Sequence, residues 1–325
     1  MTSFGYTLSS EEWGPRDLVA AARRAEDAGF DFCSISDHFH PWIDAQGHSP
    51  FVWGVLGAVA EATSTIEVGI GVTCPTVRIH PAVIAQAAAT ADLLLEGRLR
   101  FGIGTGEALN EHVLGHRWPP AKVRMAMLEE ALEVMRALWT GDEVDHDGAY
   151  YRVENARLYD PPARDLEVIV SAFGPVAAEV AARIGDGLWS TAPDGELLDA
   201  YAAAGGQGPR FGQMSVCYGP DEEACRRTVA AVWPNAGFAG ELAQELPTPA
   251  HFGQVAEALT EDQAVGSTPC GPDLDAIESS VQEYLDAGYD HLYFHQIGED
   301  QEAFFAVWEA ELADRLRGLR RAQAA

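Results

Sequence analysis

Strand-like runs alternate with helical runs along the whole chain of 325 residues, and this alternation predicts an α/β protein with a (β/α)8 TIM-barrel fold and insertions. Parallel strands joined by crossover helices, counted eight times in order, favour a closed barrel. A doubly wound sheet is the alternative, and it wants Gly-x-Gly-x-x-Gly directly after the first strand. The one dense glycine run, Gly102-Ile103-Gly104-Thr105-Gly106, follows the fourth strand and has a different spacing.

The elements read in order. Phe4–Leu8 is a short strand; Pro15 opens an amphipathic helix through Ala28, closed by Gly29. Phe30–Ser36 is the second strand, followed by the loop Asp37-His38-Phe39-His40-Pro41-Trp42 and a helix near Phe51–Ala62. Ile66–Val72 and Leu99–Ile103 are the third and fourth strands, separated by the helix Pro81–Leu95. A long helix covers Ala121–Thr140. Val144, Tyr150, Tyr151 and Val153 around Asp147-Gly148 then predict a hairpin insertion at about 141–160. The alternation resumes with strands Leu166–Ala172, Leu188–Thr191 and Phe211–Tyr218, each followed by a helix. The stretch 234–272, with Pro247 and Pro249, reads as a helical insertion. The helix Asp273–Ala287, the strand His291–His295, the helix Glu302–Leu319 and a frayed tail Arg320–Ala325 complete a single barrel domain spanning 1–325.

Composition narrows the function. Hydrophobic residues make up 47% and charged residues 22%, which suits a packed core and excludes a wholly disordered chain. No run approaches about 20 consecutive apolar residues, so no membrane-spanning helix is expected. The start, Met-Thr-Ser-Phe-Gly-Tyr, lacks a basic region and an apolar signal core, so a cytoplasmic location is expected. Fifty acidic against 21 basic residues give a net charge of -29, which disfavours nucleic acid and membrane surfaces as partners and leaves a small-molecule substrate. Lys122 is the only lysine, so a lysine nucleophile or a lysine phosphate clamp is disfavoured. The five cysteines are scattered and form no Cys-x-x-Cys pair, which argues against a disulfide scaffold and a structural zinc site.

Chemistry in such a barrel sits at the C-terminal ends of the strands. Glu11 follows the first strand, Asp37 and His38 the second, and Thr73 and Cys74 the third. Thr105, Glu107 and Asn110 follow the fourth, and His295 and Gln296 end the eighth. Any one of these is equally a helix cap or a satisfied polar group; their convergence, with Trp42, is the functional signal. His38 is a candidate general base. Asp37 orders the loop or bonds a backbone group, Glu107 sits where a glycine-rich backbone can approach a flat ring, and Trp42 offers a stacking face. His38-Phe39-His40 is a His-x-His pair, but Ser171-Ala172-Phe173 and Ser190-Thr191 at later strand ends supply no further ligand, so no metal is expected. There is no Gly-x-Ser-x-Gly elbow, and Cys74 precedes Pro75 with no evident base beside it.

These runs resemble a known family. Gly5-Tyr6, Ser36-Asp37-His38-Phe39-His40-Pro41-Trp42, Pro81-Ala82-Val83-Ile84-Ala85-Gln86, Gly104-Thr105-Gly106-Glu107-Ala108-Leu109-Asn110-Glu111 and His291-Leu292-Tyr293-Phe294-His295 are similar to the luciferase-like flavin and deazaflavin oxidoreductases. The likeness is strongest to the coenzyme F420-dependent glucose-6-phosphate dehydrogenase group and covers nearly the whole chain. It implies hydride exchange between an alcohol carbon, or its carbonyl counterpart, and C5 of the deazaflavin. By resemblance, His38 takes the hydroxyl proton, Glu107 serves the N1 side of the ring, and Trp42 shapes the pocket with Glu11 nearby. Asp37, Thr73, Cys74, Thr105 and Asn110 would line the cofactor pocket, and a cis peptide at Gly71-Val72 would buttress the ring. Backbone amides around Phe173, Gly174, Pro175 and Val176 would meet the cofactor phosphate at a helix start. A homodimer is implied as well.

The sugar-phosphate members hold phosphate with lysines and an arginine. At the two lysine positions this chain has Pro193-Asp194-Gly195 and Val265-Gly266-Ser267-Thr268, so a substrate other than glucose-6-phosphate is expected. Arg210 or Arg226 reaching into the site would restore a phosphate contact. Two other readings stay open: an FMN-dependent luciferase-like monooxygenase on the same fold, and a non-catalytic cofactor-binding barrel.

Overall fold

The computed structural model describes residues 2–321. The expected frayed tail lies outside the described residues from position 322 onward. Eight strands form the barrel: β1 Ser3–Leu8, β2 Phe32–Ile35, β3 Glu67–Thr73, β4 Leu99–Ile103, β7 Val168–Ser171, β8 Gly187–Ser190, β9 Arg210–Val216 and β10 His291–Gln296. Between β4 and β7 lies an antiparallel hairpin of β5 Val144–Asp147 and β6 Arg152–Ala156. The barrel closes in the order β1-β10-β9-β8-β7-β4-β3-β2, and every pairing within it is parallel. The alternation read from the sequence therefore gives the (β/α)8 barrel.

Two apolar layers hold it. Inside, Phe32, Ile169, Trp189, Phe211 and Tyr293 fill the barrel, with Trp189 and Phe211 stacked at 4.4 Å. The interior is a packed core, as the period-2 alternation of strand side chains requires. Outside, strand residues such as Phe4, Val68 and Phe101 pack against the apolar stripes of the helices. The helix Pro15–Asp27 shows how sequence sets this layer: proline fills its first turn, and Leu18, Ala22 and Ala25 recur at helical spacing and are buried.

Strand β3 departs from regular pairing. Its register against β4 shifts between Ile70 and Thr73, and the Gly71-Val72 peptide bond is cis. A Cβ at Gly104 would stand 2.8 Å from a Val72 methyl, and one at Gly102 would stand 2.4 Å from the Ile70 carbonyl. The glycine run thus makes room for the bulged strand.

The hairpin turn is held by Glu130, whose carboxylate accepts from the amides of Ala149, Tyr150 and Tyr151. The stretch 234–272 folds into short helices Leu242–Glu245, Pro249–Glu257 and Glu261–Val265. Phe238 and Phe252 from it pack with Ile43 and Leu109, and Trp42 joins their edge. The final helix is continuous in sequence pattern but passes through a π-helical turn at Trp308–Leu312.

Candidate active site

A cavity of about 510 Å³ opens at the C-terminal end of the barrel. Glu11, His38, Trp42, Gly71, Val72, Glu107 and Phe173 all line it. The elements explain the convergence: the loops after β1, β2, β4 and β7, together with the bulge in β3, meet at one rim. The 234–272 insertion supplies a further wall through Asn235, Ala236 and Phe238.

His38 is nine-tenths buried, and its Nδ1 lies 3.1 Å from the His40 carbonyl and 3.6 Å from Glu11 Oε1. Donation from Nδ1–H to that carbonyl assigns the tautomer and leaves Nε2 as the proton acceptor. The imidazole also meets the Trp42 ring at 5.1 Å, and Trp42 abuts Phe252 edge-on at 5.3 Å. Glu11 is buried and anchored by the Ser36 hydroxyl, which donates to Oε1 at 2.7 Å. Ser10 extends this chain through Ser36 at 2.8 Å. The arrangement has an acceptor nitrogen, an ordered imidazole and a carboxylate beside it, as a general base needs. His40 turns elsewhere, with its Nδ1 donating to the Leu109 carbonyl at 3.0 Å.

Glu107 stands at the start of the short helix Ala108–Glu111 and is half-buried. Asn110 Nδ2 approaches its carboxylate at 3.4 Å, while Asn110 Oδ1 accepts from the amides of Phe39 and His40 at 2.9 and 3.1 Å. One amide side chain thus ties the His38 loop to the Glu107 turn.

Several expected residues do not line the cavity. Asp37 accepts from Thr73 Oγ1 at 2.6 Å and pairs with Arg78 at 2.8 Å. Cys74 is buried among carboxylates, and burial pushes its thiol well above the ordinary range. Thr105 accepts through its carbonyl from Thr76. Gly174, Pro175 and Val176 open the helix Pro175–Ile184, whose first turn leaves amides free of helical partners. His295 does not reach the cavity: its Nε2 bonds Glu12 Oε2 at 2.6 Å and its ring abuts Trp233 at 4.2 Å. Gln296 joins the backbone of Tyr218 through donor and acceptor alike.

The structure adds residues that the sequence did not single out. Trp189, Gln213, Tyr293, Trp233 and Glu283 line the cavity. The first three occupy inward-facing strand positions, a signal that alternation alone supplies. Arg78 and Glu111 form a buried network beneath the site. Glu111 Oε2 accepts from the amides of Val77 and Arg78 at 3.2 and 2.6 Å, and its Oε1 lies 3.5 Å from Arg78 Nε. Burial, then the nearby Glu107, pushes the Glu111 carboxyl up to about 7 despite these donors.

The far wall carries neutral groups, among them Thr191, Ser267, Thr268 and Ser280, with Glu283 at its exposed edge. Neither arginine named as a phosphate partner lines this wall. Arg210 bonds the Gly288 carbonyl, and Arg226 pairs with Glu261 and Asp262. Asp194 caps the helix Gly195–Ala203 by accepting from the Leu197 amide at 2.9 Å.

Comparison with known proteins places this geometry. Residues 2–291 match the luciferase-like monooxygenase family. An F420-dependent glucose-6-phosphate dehydrogenase of Nocardia farcinica is 39% identical, covering 97% of this chain and 98% of its own. A counterpart from Rhodococcus jostii is 38% identical with the same coverage. Among solved structures, an F420-dependent secondary alcohol dehydrogenase in complex with an F420-acetone adduct superposes with a TM-score of 0.89 at 28% identity, covering 97% of this chain and 99% of its own. A coenzyme F420-dependent tetrahydromethanopterin reductase from Methanopyrus kandleri shares the fold, with a TM-score of 0.75 at 21% identity over 97% of this chain and 99% of its own. The barrel with its bulged third strand, the His38–Glu11 pair and these full-length similarities together show that the chain belongs to the luciferase-like family.

Proposed function

We propose that the protein is an F420-dependent oxidoreductase acting on an uncharged alcohol or its carbonyl counterpart. The observation that carries this reading is one cavity holding an oriented imidazole, His38, and a second acid, Glu107, with neutral hydroxyl groups on its far wall. The residues present suit the deazaflavin. The cavity is walled by the bulge at Gly71-Val72 and by Trp189, and Thr7, on its lining, has a buried Oγ1 with no hydrogen-bond partner among the described residues.

Bound F420 would supply the hydride acceptor at C5. His38 Nε2 accepts the hydroxyl proton, which turns a poor hydride donor into an alkoxide-like one. The Glu11 carboxylate, 3.6 Å from Nδ1, stabilises the resulting imidazolium. Glu107 would serve the N1 side of the bound ring as its proton partner, and Trp42 would orient the substrate carbon. Phe173 and the amides at the start of Pro175–Ile184 would hold the cofactor's phosphate. As part of the same reading, the enzyme works in the cytoplasm as a homodimer, which light scattering on the purified protein would check.

Glucose-6-phosphate fits poorly, because Pro193, Ser267 and Thr268 line the wall without a cationic partner for phosphate. The test is fluorescence quenching by F420 and by FMN, followed by F420 reduction with 2-propanol, glucose and glucose-6-phosphate. Tighter F420 binding and turnover of an uncharged alcohol are expected. Tighter FMN binding with no F420 signal would move the chain to the monooxygenase reading. Efficient glucose-6-phosphate turnover at micromolar substrate would refute the substrate class.

A further inference from the structure

One buried cation stands beneath both reacting groups. Arg78 lies in the loop after β3, and its side chain is 6% exposed. Nη2 reaches the Asp37 carboxylate at 2.8 Å and the Asp37 carbonyl at 3.1 Å. On its other side Nε lies 3.5 Å from Glu111. Asp37 precedes His38 in the chain. Glu111 packs its Cγ against Gly106, where an added Cβ would stand 2.7 Å away, and Gly106 precedes Glu107 with φ at +85°. Displacing Arg78 therefore removes the charged anchor of each flanking segment, leaving Asp37 to Thr73 and Glu111 to the backbone amides of residues 77 and 78. The guanidinium suits such a bridge, because its delocalised charge lies between two carboxylates while Nη2 donates to the Asp37 carbonyl; an ammonium is a point charge.

We propose that Arg78 is a positioning residue that binds Asp37 and Glu111 together and so fixes the loop carrying His38 relative to the turn carrying Glu107. The catalytic part of this claim rests on the F420 reading above; the structural part does not. A reactive pair needs its spacing held, since a misplacement of about 1 Å costs on the order of 100-fold in rate. Asn110, beside Glu111, links the same two segments by accepting from the amides of Phe39 and His40. Arg78 and Asn110 are thus two ties across one seam.

The test uses Arg78→Gln and Arg78→Lys in the full chain. Hydrogen exchange read by mass spectrometry on the protein alone is expected to show residues 36–42 and 104–111 exchanging about 10- to 100-fold faster, both together, with the barrel strands unchanged. Arg78→Lys should loosen both segments to a lesser degree. With F420 and 2-propanol, the dissociation constant of F420 should stay within about threefold while single-turnover reduction falls about 10- to 100-fold. Unchanged exchange in both segments, loosening of only one, or acceleration spread over the barrel strands would overturn the proposal. If Arg78→Gln does not fold, Arg78→Lys decides: wild-type exchange and rate would show that a bridge between two carboxylates is not required. If wild-type protein neither binds nor reduces F420, the function reading falls, and the exchange experiment still decides the bridge.

Discussion

Replacing His38 by alanine should separate chemistry from binding. In the wild type, Nδ1 is fixed by the His40 carbonyl at 3.1 Å and faces Glu11 at 3.6 Å, so Nε2 is the one nitrogen free to take a proton. Alanine removes that acceptor and leaves Glu11 anchored by Ser36. General-base removal costs about 10²–10⁴ in rate, equivalent to about 3–5 kcal/mol of barrier. The cofactor's contacts are proposed to come mainly from other elements, the β3 bulge and the loops after β4 and β7. F420 affinity is therefore expected to change by about threefold or less, since few contacts are lost. Glu11→Gln is the graded companion: it keeps an acceptor for Ser36 but loses the charge beside the imidazolium, so about a tenfold loss is expected. The assay is stopped-flow reduction of F420 in a single turnover, with equilibrium quenching measured separately. A His38→Ala protein that binds F420 and reduces it near the wild-type rate would refute the base assignment.

Glu107→Gln should lower single-turnover reduction about 100-fold with the cofactor still bound, because the amide cannot exchange a proton; an unchanged rate would remove Glu107 from the chemistry. Ser267→Lys places an ammonium on the far wall and should lower the KM for glucose-6-phosphate about tenfold while leaving uncharged alcohols little affected. Glu111→Gln should change how stability depends on pH. A carboxyl with a folded value of about 7 against an ordinary 4.5 binds protons more strongly when folded, so wild-type stability falls as pH rises from about 4.5 to 7. The glutamine variant should lose that slope, worth at most about 3 kcal/mol, in denaturant titrations across this range; an identical slope would show that Glu111 does not titrate there.

What was legible in the sequence divides along physical lines. The barrel was legible because local periodicity repeats eight times and chain order fixes strand order in a parallel fold. His38, Glu107 and Glu11 were legible as strand-end polar residues, because the barrel sends every strand end to one rim. Arg78 and Glu111 were not, since their significance lies in pairing across 33 residues of chain with no shared period. His295 looked like a mouth residue for the same reason in reverse: it sits at a strand end, but Glu12 captures it. The insertion hid its role because Phe238 and Phe252 follow no strand or helix stripe, and only the fold shows them packed beside Trp42. The π-helical turn at Trp308–Leu312 left no mark either, because apolar spacing before and after it continues at helical period.

The charge of the chain bears on the proposed substrate at two distances. Far from the surface, a net charge of -29 opposes every anion according to its charge and not its shape, and salt screens that field beyond about 8 Å at physiological ionic strength. Long-range repulsion therefore cannot tell a phosphorylated sugar from an anionic cofactor. Discrimination has to arise at contact, where the two would meet different walls. On the proposed reading, the cofactor phosphate would meet backbone amides at the start of Pro175–Ile184, which need no lysine. A substrate phosphate would meet Ser267, Thr268 and Thr191, with Glu283 at the edge. Neutral hydroxyls can donate to a phosphate but supply no charge to neutralise it, and the carboxylate repels it. An uncharged alcohol needs no such partner and keeps its hydroxyl for His38. Selectivity on this reading comes from an absent cation in place of a steric block, which is why one added lysine at position 267 should move it.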